Sequence, residues 1–155
     1  MLHTLLIAAH AASGITAFAS GCLVLRRPPR SVPATFRVYL GALWLMVLFL
    51  LAAVAIDWGT LATVGRLLYG ALAVLALYMV WRGWRAFQDL RHRAADWIRA
   101  YIDDVGFTLI ALFAGFVIIG ALDLGAPVWL VVAIGVLAIL AGRRAIGRTK
   151  TIAAA

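Results

Sequence analysis

Five long apolar runs divide the 155-residue chain, and they constrain its fold more than any other feature. The runs cover approximately residues 2–25, 38–56, 67–84, 105–122 and 128–141. A transmembrane helix needs about 20 mainly apolar residues to cross a hydrocarbon core about 30 Å thick. Backbone groups in lipid must be hydrogen-bonded internally, and these runs lack the short alternating pattern of a β-barrel. The sequence therefore predicts an all-α integral membrane helical bundle with five transmembrane helices.

Composition supports this class and predicts one membrane domain over residues 1–155. Hydrophobic residues make up 66% of the chain and charged residues 13%, against roughly 45–50% and about 25% in soluble domains. Two alternatives stay open. The fifth run is short and could be re-entrant, unless Arg143 and Arg144 reach the headgroups and let it cross. The first run could be a cleaved signal peptide, although it lacks a basic start and exceeds the usual apolar core in length.

The basic residues are distributed unevenly between the two sides of the predicted bundle. With the N-terminus outside, all of the 14 basic residues except Arg66 fall on the inner side. These inner residues are Arg26, Arg27, Arg30, Arg37, Arg82, Arg85, Arg91, Arg93, Arg99, Arg143, Arg144, Arg148 and Lys150. Cytoplasmic loops carry the excess of Lys and Arg in membrane proteins. The pattern predicts an N-out, C-in orientation, and four spans would break it.

The inner connection between the third and fourth runs has helical periodicity. Its apolar residues recur three or four positions apart, at Trp84, Phe87, Leu90, Ala94, Ile98 and Tyr101. This spacing places them on one helical face. The sequence predicts an amphipathic inner helix over about 85–102, lying on the membrane surface or extending the third span. It would dock a partner or anionic lipid, or serve only as a solvated connector.

Small residues form a stripe along the first run. Ala9, Ser13, Ala17 and Gly21 recur every four positions, and Gly14 lies beside them. Helices in lipid associate through close packing, because no hydrophobic force draws them together there. The stripe predicts the tightest helix contact of the protein, either within one chain or between chains.

Few ionisable residues lie within or beside the predicted spans, and such residues are functional candidates. His3, His10, Asp57, Arg66 and Asp123 would line one outward-facing cavity if the helices form a compact bundle. In this hypothesis Arg66 contacts an anion or an aspartate, and His10 titrates at the cavity floor. The alternative is structural: Asp57 and Asp123 act as turn residues, Arg66 pairs with one of them, and His10 bonds a neighbouring helix.

Motifs for catalysis, metals and cofactors are missing from the sequence, so no catalytic, cofactor-binding or metal-binding residue is predicted. The chain contains no glutamate and a single cysteine, Cys22, which excludes an intramolecular disulfide. His3 and His10 lie on one helix about 10 Å apart and His92 lies on the other side, which argues against a bis-histidine haem within one chain. No polar basic face is available for nucleic acid.

Part of the sequence resembles a known protein family, and this resemblance implies a location in the cell. The pattern comprises His10-x-x-x-Gly14, the small-residue run to Ser20-Gly21, the pair Phe36-Arg37, and the segment LYMVWRGWR at 77–85. Over roughly residues 1–90 it is similar to a family of bacterial predicted membrane proteins without an assigned activity, which often carry His-Arg where this chain has Phe36-Arg37. The resemblance implies a bacterial cytoplasmic-membrane protein and carries over no functional residue.

These observations favour a non-enzymatic accessory or structural subunit of a membrane assembly. Its expected partners are membrane lipid and either a larger membrane complex or further copies of itself. A small transporter or channel using the outward-facing cavity is the alternative. An intramembrane enzyme or haem protein is the third hypothesis.

Overall fold

The computed structural model describes residues 1–26, 33–93, 95–125, 127, 129–130, 133, 136–137, 139–144 and 146–147. Within these residues the protein is all-α and has five helices, which confirms the predicted class. The four long helices are α1 (Leu2–Arg26), α2 (Ala34–Asp57), α3 (Thr63–His92) and α4 (Trp97–Asp123). The fifth, α5, comprises the described residues between 129 and 147.

Helices α1 to α4 are each long and apolar enough to cross a membrane. The candidate spans are Leu2–Arg26, Ala34–Asp57, Gly65–His92 and Trp97–Ile118. By length and composition, the chain is a small multi-pass helical membrane protein. The predicted fifth span, 128–141, lies partly outside the described residues, so its crossing stays a prediction.

The four long helices form a closed ring in chain order. Each packs against its chain neighbours, α1 also packs against α4, and the most extensive contact joins α1 to α2. His3 at the start of α1 contacts Asp57 at the end of α2, so these helices run antiparallel. We call this end of the bundle the N-terminal end. The opposite end, where α1 and α3 finish and α2 and α4 begin, is the basic end.

An aromatic core fills the basic end of the ring. The Phe36 ring is fully buried and lies 5.5 Å from Tyr39, 6.2 Å from Phe87 and 6.0 Å from Tyr101, measured between ring centroids. Offset and tilted aromatic pairs at such distances are favourable beyond the area they bury. Residues from α2, α3 and α4 thus meet around Phe36, which joins three of the helices.

The predicted amphipathic helix over 85–102 does not exist as one element. Helix α3 continues to His92 and α4 begins at Trp97. Between them Arg93 (φ 47°) and Asp96 (φ 60°) adopt left-handed backbone conformations, and the Arg93 amide donates to the Asp89 carbonyl at 2.9 Å, which closes the last turn of α3. The interruption is about one helical turn long. An interruption of this length does not change the spacing of apolar residues along the sequence, which still fits 3.6 residues per turn. The sequence pattern therefore could not reveal where α3 ends.

Candidate functional site

Three of the residues predicted to line a cavity meet at the N-terminal end. His3 Nε2 lies 2.8 Å from Asp57 Oδ2, and the two side chains are 44% and 40% exposed. Arg66 Nε donates to the Trp58 carbonyl at 3.1 Å, and its Nη2 lies 3.5 Å from the Gly59 carbonyl. The last carbonyls of a helix lack intrahelical donors. Arg66 therefore caps the turn that follows α2, next to the His3–Asp57 pair.

His10 lies deeper and contacts a different group. Its Nδ1 is 2.8 Å from the Met46 carbonyl on α2, in a half-buried position. A carbonyl oxygen only accepts, so Nδ1 carries the proton and donates this hydrogen bond. His10 is seven residues beyond His3, about 10 Å along the helix axis. It links α1 to α2 and does not join the His3–Asp57–Arg66 group.

The common cavity of five residues stays a prediction. Helix α4 ends at Asp123, but the Asp123 side chain lies outside the described part of the structure. A cavity of about 880 Å³ between α3, α4 and α5 is lined by other residues than these five. Within the described structure, His3, Asp57 and Arg66 are brought together and His10 is separate.

The small-residue stripe of α1 packs inside the chain. Gly14, Ala17 and Gly21 are buried, whereas Ala9 and Ser13 are half-buried. A Cβ added to Gly21 would lie 2.7 Å from Leu109 Cδ2 on α4 and 3.1 Å from Tyr39 Cε2 on α2. A Cβ on Gly14 would lie 3.2 Å from Phe116 Cζ. These glycines let α1 approach α2 and α4 closely, so the central part of the stripe is occupied within the monomer.

An ion pair between α3 and α4 was missed by the sequence reasoning. Arg82 Nε pairs with Oδ1 of Asp104, whose side chain is only 2% exposed, and Arg85 Nε lies 3.6 Å from Asp104 Oδ2. Arg82 Nη2 also donates to the Asp103 carbonyl at 3.0 Å. An isolated charge within a span is costly, and pairing lowers that cost. The signal in the sequence was an aspartate directly before the fourth apolar run, together with two arginines at the end of the third run. Their use as a pair depends on the packing of α3 against α4.

Two hydroxyl contacts add polar links between helices. The Thr108 hydroxyl donates to the Val105 carbonyl at 2.7 Å, so in the buried contact between Tyr39 and Thr108 the tyrosine is the donor. The Tyr101 hydroxyl donates to the Val24 carbonyl at 3.3 Å. The first pair joins α2 to α4, and the second joins α4 to α1.

The cavity between α3, α4 and α5 is a concave feature with both charged and apolar lining. Its charged lining residues are Arg82, Asp103 and Arg143, whereas the rest of its described lining is aliphatic, aromatic or glycine. Helices α4 and α5 meet beside it through glycines: a Cβ on Gly142 would overlap Ile110, and one on Gly106 would overlap Ile146. The close α4–α5 approach thus forms one wall of the cavity.

Metal-binding and cofactor chemistry gain no positive support from the geometry. Among the described residues, no three His, Cys, Asp or Glu side chains converge as metal ligands. His92 Nε2 contacts Gln88 Oε1 at 3.1 Å at the basic end, far along the chain from His3 and His10. Comparison of the chain with protein-family models, curated proteins and solved structures finds no match.

Proposed function

We propose that this multi-pass protein is a non-enzymatic accessory or structural subunit of a bacterial cytoplasmic-membrane assembly. The observation that carries the proposal is the use of polar side chains within the spans to join helices. His10 bonds the Met46 carbonyl, Tyr101 bonds the Val24 carbonyl, and Arg82 pairs with Asp104. Interhelical polar contacts of this kind stabilise a bundle in lipid. Groups committed to such contacts are poorly placed to act on a substrate.

The surface that would meet a partner lies on α3 near the basic end. Tyr78, Trp81 and Trp84 are exposed there, Tyr78 stacks on Trp81 at 5.3 Å, and Arg85 lies over the Trp81 ring at 4.9 Å. Aromatic residues and arginine are enriched at protein interfaces. The buried α1 stripe is already occupied within the chain, which favours α3 over α1 as the contact surface.

The proposed orientation places the N-terminal end outside and the basic end inside. Support comes from the distribution of Lys and Arg along the sequence, in which every basic residue except Arg66 falls in a predicted inner segment. The aromatic side chains of Trp81 and Trp84 near the basic end also suit a membrane interface.

The test is gentle purification of the protein from its source membrane, followed by native mass determination of everything bound. An accessory subunit should elute in a stoichiometric complex with a larger partner. Trp81→Ala should weaken the complex, whereas Trp44→Ala, an exposed tryptophan on α2, should leave it intact. A chain that is recovered only alone or as a homodimer would contradict the accessory role.

A small transporter or channel is the second candidate, favoured by the meeting of His3, Asp57 and Arg66 at one end of the bundle. Ion or solute flux should then appear in liposomes that contain the purified protein. Arg66→Ala should abolish the flux, and Arg144→Ala should not. Flux that is absent, or equal in both variants, counts against this candidate.

A further inference from the structure

The cavity between α3, α4 and α5 has two chemically different zones. Leu72, Leu75, Ile118 and Ile139 contribute aliphatic walls, whereas Arg82 and Arg143 contribute positive charge. A pocket with long apolar walls and a confined charged zone suits an amphipathic ligand more than a small polar solute.

The dimensions of this cavity match one leaflet of a bilayer. Its lining on α4 extends from Asp103 to Ile118, which is about 22 Å at 1.5 Å per residue. A leaflet with its headgroup region is about 20–22 Å thick, half of a bilayer of 40–45 Å. The length and the apolar lining of this cavity therefore suit an acyl chain that lies along α4.

The charged zone has capacity to bind an anion. Arg82 directs Nε to Asp104, Nη1 to the Tyr78 hydroxyl at 3.2 Å and Nη2 to the Asp103 carbonyl at 3.0 Å. A guanidinium has five N–H donors, so among the described residues these contacts use one donor on each terminal nitrogen and leave the other for a ligand. The charged lining residues are Arg143, Asp103 and Arg82, of which Arg82 is paired with Asp104. Arginine matches phosphate oxygens in bidentate geometry. Arg143 is exposed at the cavity, where its long side chain can approach a headgroup.

We propose that this cavity binds an anionic phospholipid, with its phosphate at Arg82 and Arg143 and one acyl chain along α4. Lipid binding in this cavity rests on the membrane location but not on the accessory role. The lipid proposal and the accessory-subunit proposal can therefore fail independently of each other. Basic pockets between transmembrane helices commonly recognise anionic headgroups, and here the chemistry follows from the two zones of one cavity.

The experiment uses the full chain in nanodiscs of phosphatidylglycerol and phosphatidylcholine at equal proportions, followed by native mass spectrometry of retained lipid. Arg143→Gln tests the headgroup contact, and its control is Arg144→Gln, an exposed neighbour outside the cavity lining. Gly115→Leu fills the acyl zone, because a Cβ at Gly115 meets nothing within 4 Å. Its control is Gly41→Leu, which also has open space but lies on α2. Arg82 is not substituted, because its removal would leave the buried Asp104 carboxylate without its counter-ion.

The wild-type protein should retain about one phosphatidylglycerol per chain, preferred about fivefold over phosphatidylcholine, the ratio expected for one basic residue near an anionic headgroup. Arg143→Gln should abolish the preference and Gly115→Leu should abolish retention, while both controls behave as wild type. The proposal is overturned if wild type retains both lipids equally or if Arg144→Gln reduces the preference as much as Arg143→Gln. Unchanged retention by a folded Gly115→Leu variant would overturn it as well.

Discussion

Arg82 on α3 and Asp104 on α4 form an ion pair at the basic end of the bundle, and the aspartate side chain is 2% exposed while the arginine is 18% exposed. The arginine side chain also extends over the Phe107 ring at 4.9 Å. The pair therefore sits between two helices and beside the proposed lipid cavity. Its burial means that either partner alone would leave an uncompensated charge.

Asp104→Ala should lower the free energy of unfolding by about 3–5 kcal/mol, because it leaves Arg82 without its buried counter-ion. Replacing both partners, with Arg82→Met and Asp104→Leu, should recover most of this loss, since a packed apolar pair needs no desolvated charge. Arg85→Gln is the control, because Arg85 is half-exposed and 3.6 Å from the carboxylate, and it should cost at most about 1 kcal/mol. Reversible denaturation in mixed micelles measures all three. An Asp104→Ala variant that is as stable as wild type would contradict the role of the pair.

Gly21→Leu should destabilise the bundle by about 1–3 kcal/mol, because even a Cβ at this position would lie 2.7 Å from Leu109 and 3.1 Å from Tyr39. Gly41→Leu introduces the same side chain where the space is open and should change stability by less than about 0.5 kcal/mol. Thermal unfolding in one detergent compares the two variants. Equal effects would show that helix propensity, and not close approach of α1, controls the outcome.

His10→Ala should lower the free energy of unfolding by about 0.6 kcal/mol and by no more than about 1.7 kcal/mol, the mean and the maximum for interhelical hydrogen bonds in a membrane protein, because it removes the bond to the Met46 carbonyl. His92→Ala is the matched control, since His92 is exposed and contacts Gln88 on its own helix. Thermal unfolding gives the stability, and co-purification should show His10→Ala still bound to the proposed partner. Loss of partner with unchanged stability would point to a direct functional role for His10.

Arg93→Val should be less stable than Arg93→Gly by about 1–2 kcal/mol, because φ at this position is 47° and a side chain with a Cβ is strained in the left-handed region. Both variants lose the contact of the Arg93 guanidinium with the Trp97 ring, so their difference isolates the backbone term. The comparison uses unfolding of the two purified proteins. Equal stability would mean that the α3–α4 turn does not hold this conformation.

Single-cysteine labelling should verify the proposed orientation. In a Cys22→Ser background, Thr60→Cys places a thiol in the turn between α2 and α3, and Ala95→Cys places one between α3 and α4; both positions are exposed. A membrane-impermeant maleimide should label Thr60→Cys in intact cells and Ala95→Cys only after permeabilisation. The reverse pattern would invert the orientation.

The helix content could be predicted from sequence because each span needs only a local property, namely enough consecutive apolar residues to cross the hydrocarbon core. The apolar runs at 2–25 and 38–56 became α1 and α2 almost unchanged. The residues of the candidate site were harder to predict from the sequence. Asp57 and His3 are far apart in the chain, and only the antiparallel packing of α1 and α2 brings them to 2.8 Å.

The sequence by itself determined the membrane class and the long apolar helices, since both follow from the length and apolarity of contiguous segments. Tertiary structure decided which polar groups share a site. Arg82 meets Asp104, and His10 meets the Met46 carbonyl, only because of how neighbouring helices are rotated and shifted against each other. It also decided that α3 stops at His92. The sequence could not show this end, because an interruption of about one helical turn does not change the 3.6-residue spacing of the apolar residues.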